Sequence, residues 1–126
     1  METIVEERMY VCRNHPKQQQ IFHLEKMLIE AGYPYFFNFW EDLRPVFGEP
    51  EKDPEGIDWN SYKFLIEVGR PAGYGLSEIS VCFNQEGDRT LLELLDMRPA
   101  AGGELYRDLT SEGAMEIIEK FFKDAR

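Results

Sequence analysis

Two cysteines and two histidines are the side chains of this sequence best suited to bind a metal ion or to form a nucleophile–base pair. They are Cys12, His15, His23 and Cys82. Zinc prefers thiolate and imidazole ligands, but its sites have regular spacings along the sequence. Only Cys12 and His15, three positions apart, have a spacing that such sites use. A reactive thiol needs positively charged surroundings, for which two nearby arginines are weak support. We therefore expect no metal site and no catalytic thiol.

Carboxylates on neighbouring predicted strands are a second candidate for chemistry. Glu67, Glu78 and Glu93 would meet across a sheet as general acid and base. The alternation of the strands places them on a solvated face, however, where carboxyl groups keep ordinary acidity and serve solubility. The sequence also contains no phosphate loop, nucleophile elbow, HExxH motif or paired CxxC motifs. It therefore favours a protein that is not an enzyme, with no catalytic residue and no cofactor.

A small-molecule pocket is the alternative to be weighed. The segment GRPAGYG contains Arg70 and Tyr74, and its glycines and proline are typical of a hairpin loop. Phosphate-binding loops exploit the field of a helix N-terminus, and this segment lies between two predicted strands. Together with Tyr35 and Tyr62, the two side chains would orient a planar or anionic ligand. This second hypothesis is a ligand-binding protein or enzyme with an aromatic pocket between sheet and helix.

The stretch YPYFFNFW places six aromatic side chains in eight positions. In an extended strand Tyr35, Phe37 and Phe39 point to one face, which we assign to the core. Phe36 and Trp40 point to the other face. Burial there is favoured because large aromatic side chains are buried on average. Exposure would instead create an aromatic patch, and the choice between the two is open.

The charge of the chain bears on its partners. It has 24 acidic and 14 basic residues and a formal net charge of −10, with the basic residues scattered singly. Nucleic-acid binding requires clustered lysine and arginine, so we expect none, whereas an acidic surface favours a basic protein partner. The segment FGEPEKDPEGID predicts an acidic loop. The candidate partner-binding residues are Phe36, Trp40, Glu49, Glu51, Asp53, Glu55 and Trp59.

These features favour a non-catalytic protein-interaction module with an inhibitor, immunity or chaperone-like role. Aromatic anchors within a polar rim are typical of protein-recognition surfaces. Self-association through an exposed strand or helix face is a further possibility. No apolar run approaches the ~20 residues that cross a bilayer. The first residues, METIVEERMY, lack the regions of a signal peptide, so we expect no membrane contact and a cytoplasmic location.

The length predicts a single domain over residues 1–126. Apolar residues at helical spacing predict one helix over about 16–31, which Gly32 would end. A second helix is predicted to begin at Thr110 or Ser111, because a continuous apolar stripe follows. Its residues are Ala114, Ile117, Ile118, Phe121, Phe122 and Ala125. Residues 3–13, near the N-terminus, fit a short helix and a strand equally well.

The aromatic stretch predicts a strand at about 34–41, although it is apolar on both sides. Alternation of apolar and polar residues predicts two more strands, at about 61–69 and 77–84. Residues 90–97 have a helix-prone composition, but the tight turn before them favours a strand. Residues 98–109 show no clear element. The sequence therefore predicts an α+β fold, with an antiparallel sheet of about four strands and an N-terminal and a C-terminal helix packed mainly on one face.

Overall fold

The computed structural model describes residues 18–41, 62–73, 75–98 and 103–124, with only the backbone for the residues at 40, 41, 62 and 73. It has an α+β fold, as predicted. The elements in chain order are α1 (Gln19–Ala31), β1 (Phe36–Glu41), β2 (Tyr62–Gly73), β3 (Leu76–Phe83), β4 (Leu92–Asp96), β5 (Glu104–Leu109) and α2 (Ser111–Asp124). The described strands form one antiparallel sheet of order β1-β2-β3-β4-β5, so this part of the chain provides five strands rather than the predicted four or so.

Helix α1 forms because its apolar residues recur on one side. Ile21, Leu24 and Leu28 are fully buried. The helix ends at Gly32, whose φ of 74° is the left-handed conformation that glycine adopts without strain. Its N–H bonds to the carbonyl of Ile29, and the next N–H, at residue 33, reaches back to the carbonyl of residue 28. The predicted end of the helix is confirmed.

Helix α2 begins after Thr110, which is the cap. The hydroxyl oxygen of Thr110 accepts a hydrogen bond from the N–H of Gly113 at 3.2 Å. The buried side of the helix comprises Ser111, Ala114, Met115, Ile118 and Phe121. Met115 was absent from the predicted stripe, whereas the predicted members at 117 and 122 are only half-buried at its margin.

The core lies between the helices and one face of the sheet. The predicted alternation is confirmed for Phe64, Ile66 and Val68 of β2 and for Ile79 and Val81 of β3, which are all buried. In β4, the residues at 92 and 94 are also fully buried, and the segment is a strand, as favoured. Three strands and the two helices therefore contribute the buried residues of one apolar core.

Two predictions of irregular structure were wrong. Strand β2 continues through residues 69–73, where a hairpin loop was expected, and the pairing with β3 shifts register around Pro71. A proline lacks the N–H that a regular ladder needs, so an irregularity is where a strand tolerates it. The segment 98–109 contains β5, which was missed because its residues 104–108 are exposed on both faces and therefore show no alternation of polarity.

Candidate functional site

The two described helices pack on one face of the sheet, and we call the opposite face, on which no helix of the described residues lies, the helix-free face. The register assigns to it every second residue of each strand. Its described side chains are Phe36, Asn38, Lys63, Leu65, Glu67, Glu78, Ser80, Cys82, Glu93, Leu95, Leu105 and Arg107. This face is a mixture of apolar, polar and charged groups rather than a uniformly solvated surface.

Among the described side chains of this face, Phe36 is the most exposed large apolar one. Its exposed fraction is 64%, so the burial that its aromatic character favoured is wrong for this residue. Its neighbours Tyr35 and Phe37 pack against the core, as the alternation predicts. On the adjacent strand Phe36 is paired with Glu67, whose carboxylate accepts a hydrogen bond from Asn38. The ring therefore lies at the surface beside a fixed polar pair.

One row of side chains crosses the whole helix-free face. The register aligns Phe36 with Glu67, then with Ser80, Leu95 and Leu105, one residue from each strand. The two ends of this row are exposed apolar side chains, whereas Ser80 at its centre is only 5% exposed. The row is thus an apolar–polar–apolar band about five strands wide.

Glu93, in the neighbouring row, was predicted to be solvated but is buried, with 7% of its surface exposed. Its charge is compensated by Arg107 of β5, a strand that was not predicted, whose Nε lies 3.4 Å from Glu93 Oε2. The Sγ of Cys82 donates to the other oxygen of Glu93 at 3.5 Å. Burial, and then the charge of Glu93, raise the pKa of Cys82 to about 12, which keeps the thiol protonated and able to donate.

Two oxygens of the helix-free face are buried without a hydrogen bond from the described residues. No hydrogen bond from the described residues reaches Ser80 Oγ or Glu93 Oε2. A buried polar atom left in this state costs about 1–3 kcal/mol, so such atoms are rare in native proteins and call for an explanation. The two side chains belong to adjacent strands, because Ser80 is paired with Leu95, two residues after Glu93.

Removal of the unpartnered hydroxyl provides a test of this geometry. We expect Ser80→Ala to leave the free energy of unfolding unchanged or to raise it by up to ~1 kcal/mol, because no hydrogen bond is lost. Ser111→Ala is the matched control, since that buried hydroxyl is bonded and its loss should cost about 1 kcal/mol. Urea denaturation measures both. A loss of stability in Ser80→Ala as large as that of the control would contradict the assignment.

A cleft of about 410 Å³ lies where α1 meets the start of α2. In it, Ser111 Oγ lies 2.8 Å from His23 Nδ1 and donates to Glu112 Oε2 at 3.1 Å. Glu112 lies 3.7 Å from the same imidazole nitrogen. A hydrolytic triad places its carboxylate on the other nitrogen and exposes its serine, whereas Ser111 is buried. This cluster joins the two helices. The backbone N–H of Glu112 itself, and then the hydroxyl of Ser111, hold the pKa of Glu112 below its usual value.

A second cleft, of about 540 Å³, lies between β5 and α2. Its most buried charged group, Asp96, is held by Arg98 through two hydrogen bonds of 2.9 and 2.7 Å. Those bonds are the main cause that lowers the pKa of Asp96. The guanidinium also lies 4.9 Å from the ring centre of Phe121. Because these charges satisfy one another, we assign the cleft a structural role.

The alternative ligand-binding set is not assembled by the described residues. The hydroxyl of Tyr35 donates to Glu25 at 3.0 Å. The side chain of Arg70 is 89% exposed and lies 3.3 Å from Glu78. Tyr62 begins β2 without a described side chain, and Tyr74 lies outside the described residues. None of these four belongs to the described lining of either cleft.

Most of the remaining predicted site residues have side chains outside the described part of the structure. Trp40 lies in β1, but its side chain is outside the described part of the structure, as are the acidic-loop residues Glu49, Glu51, Asp53, Glu55 and Trp59. The segment 3–13, with Cys12, and His15 also lie outside it. His23 and Cys82 are separated, because one lies on a helix and the other on the helix-free face.

Sequence reasoning missed Ser80, Leu105 and Arg107 as members of a site. Ser80 alternates with apolar neighbours like any solvent-facing residue, and Leu105 and Arg107 belong to the strand that shows no pattern. Within the described ranges, no group of three or more histidine, cysteine, aspartate or glutamate side chains is placed to hold a metal ion. Among those residues there is also no helix with the length and apolar character required to cross a bilayer.

Comparison of the chain with protein-family models, with curated proteins and with solved structures gave no match. The interpretation of the helix-free face therefore depends on its own residues.

Proposed function

We propose that this chain is a non-catalytic cytoplasmic protein-interaction module that binds a protein partner with a basic surface. The observation that carries the proposal is the exposure of Phe36, 64% of whose surface is accessible on a strand whose adjacent aromatic residues pack on the core. Exposing a large ring costs solvation free energy, which binding recovers when a partner covers the ring. We therefore assign Phe36 as the anchor of the interaction.

The surroundings of Phe36 support a protein partner. Asn38 and Glu67 provide hydrogen-bonding groups beside the ring, and the exposed Leu105 lies at the far end of the same row. An apolar anchor with a polar border is the usual composition of a recognition surface. A small ligand would instead need an enclosing pocket, and the described lining of the two clefts does not include Phe36.

The charge of the chain supports a basic partner. A net charge of −10 attracts cationic surfaces and speeds encounter with them, in a manner that salt screens. The acids of the predicted loop, Glu49, Glu51, Asp53 and Glu55, together with Trp40 and Trp59, complete the proposed partner-binding set. Binding should therefore depend on ionic strength as well as on the aromatic anchor.

Affinity capture from native lysate tests this function. We expect a partner that the immobilised protein retains at low salt and releases at high salt, and that Phe36→Ala retains at least tenfold less. Ile29→Ala is the matched control, because it shortens an equally exposed apolar side chain, 61% accessible, on the helix layer. A partner held equally by Phe36→Ala, or the absence of any salt-sensitive partner, would contradict the proposal.

A further inference from the structure

We propose that Ser80 and Glu93 form the binding site for an arginine side chain of the partner, in the place that Arg107 holds in the free protein. This inference rests on the proposed function and specifies where on the helix-free face the basic partner binds. It concerns a site of two acceptor oxygens, Ser80 Oγ and Glu93 Oε2, that no described donor satisfies. The exposed anchor Phe36 lies in the same cross-strand row as Ser80.

The chemistry of the site selects a cationic donor. Glu93 is a buried carboxylate, and a buried charge is stable only when a cation and hydrogen bonds compensate it. Its Oε1 accepts a hydrogen bond from the thiol of Cys82, whereas its Oε2 has only the ion pair with Arg107. Glu93 Oε2, which accepts no hydrogen bond from the described residues, and the hydroxyl of Ser80 on the adjacent strand are the two acceptors for an incoming group. A donor that is both charged and branched would satisfy both.

Arg107 shows that a guanidinium is accommodated at this position. Its Nε lies 3.4 Å from Glu93 Oε2, but the geometry does not make a hydrogen bond. Another nitrogen of the same group lies 3.3 Å from Glu86 Oε2, so the side chain is divided between two carboxylates. It is also 44% exposed and belongs to the edge strand β5. Because Arg107 makes no hydrogen bond to Glu93 and is partly exposed, it can turn outwards when a second guanidinium takes over the compensation of the Glu93 charge.

The neighbours of the two oxygens favour an extended partner segment. Leu95 and Leu105 continue the row of Ser80 on one side, and Glu67 and Phe36 continue it on the other. A segment lying along this band would contact apolar side chains at both ends and place its arginine over the polar centre. Arginine fits better than lysine because its planar fork presents several donors at once, whereas an ammonium is a compact point charge.

Peptide titration of the full chain tests the site. The probe is a synthetic nine-residue peptide of alternating threonine and arginine, and its counterparts carry lysine or citrulline instead of arginine. Calorimetry or NMR measures the affinity of each. We expect the arginine peptide to bind at least threefold more tightly than the lysine peptide and at least tenfold more tightly than the citrulline peptide, which keeps the shape but lacks the charge.

Variants locate the interaction. Glu93→Gln should weaken binding of the arginine peptide at least tenfold, whereas Glu116→Gln, the same loss of charge on the exposed side of α2, should change it less than twofold. Arg107→Ala should strengthen binding about threefold, because the competing internal guanidinium is gone. Ser80→Ala should weaken binding about threefold while its melting temperature stays unchanged or rises, which separates a binding role from a folding role.

The outcomes separate this inference from the proposed function. Equal weakening by Glu93→Gln and Glu116→Gln would reduce the effect to general charge and overturn the arginine site, while capture through Phe36 would still support the function. Weaker binding in Arg107→Ala would show that Arg107 recruits the peptide rather than competing with it, and would also overturn the site. Absence of peptide binding to both the wild type and Arg107→Ala would overturn it irrespective of whether Glu93→Gln folds.

Discussion

Replacing Phe64 by alanine should lower the free energy of unfolding by about 3–5 kcal/mol. The ring is 2% exposed and lies at the centre of the aromatic part of the core. Four other rings surround it at centroid distances of 5.2 to 6.2 Å, namely those of Phe22, Phe37, Phe39 and Phe83. Its removal therefore costs the burial of a large apolar side chain, several ring contacts and the filling of the space it leaves.

Phe36→Ala is the matched control for this change, because it removes the same side chain from the adjacent strand but from the helix-free face. We expect the control to change stability by less than ~0.5 kcal/mol. Equilibrium denaturation in urea, followed by near-ultraviolet circular dichroism, measures both variants. Similar losses in the two would show that the helix-free face is as tightly packed as the core and would remove the basis for treating Phe36 as a binding anchor.

Gly69→Ala should lower the free energy of unfolding by about 2–4 kcal/mol, since two penalties combine. The residue has a φ of 88°, a conformation that side chains with a Cβ adopt at a cost. An added Cβ would also lie 2.9 Å from Cζ of Phe121 and 3.1 Å from Cβ of Glu78. The strand β2 passes too close to helix α2 at this point for any side chain.

Gly75→Ala separates the two penalties. Its φ of 73° is similar, but an added Cβ would meet no atom within 4 Å, so only the backbone term of about 1 kcal/mol remains. Thermal and chemical denaturation of the two variants under the same conditions gives the difference. If Gly69→Ala were no less stable than Gly75→Ala, the close approach of β2 to Phe121 would be wrong.

The central part of the fold was predictable because its residues obey a simple period. Phe64, Ile66, Ile79 and Val81 alternate with polar residues, and burial of one face follows directly. Strand β5 carries no such signal, because pairing with β4 through the backbone defines it while its side chains remain exposed. Pairing with the neighbouring strand, rather than a polarity pattern of its own, determines an edge strand of this kind. A single sequence does not display that pairing.

Within the candidate site, the sequence indicated only the residue that stands out in its own local pattern. The two-sided aromatic pattern of β1 correctly indicated Phe36 as the residue to question, although its exposure depends on which face the helices cover. Ser80 and Glu93 lie on the polar side of their own strands, and that position predicted exposure to solvent. The charge of buried Glu93 is compensated by Arg107, which lies 14 positions further along the chain. Such a long-range ion pair leaves no local trace in the sequence.

The order of the strands in the sheet follows their order in the chain, which has a consequence for how the protein assembles. The β3–β4 connection covers only residues 84–91, and the β2–β3 connection is shorter still, so these pairs close small loops. Joining β1 to β2 closes the much longer connection of residues 42–61, and each doubling of loop length adds ~0.6 kcal/mol of closure entropy. The hairpins of β2, β3 and β4 are therefore expected to nucleate folding, with β1 arriving late. The strand that carries Phe36 is then the one whose attachment a bound partner would reinforce most.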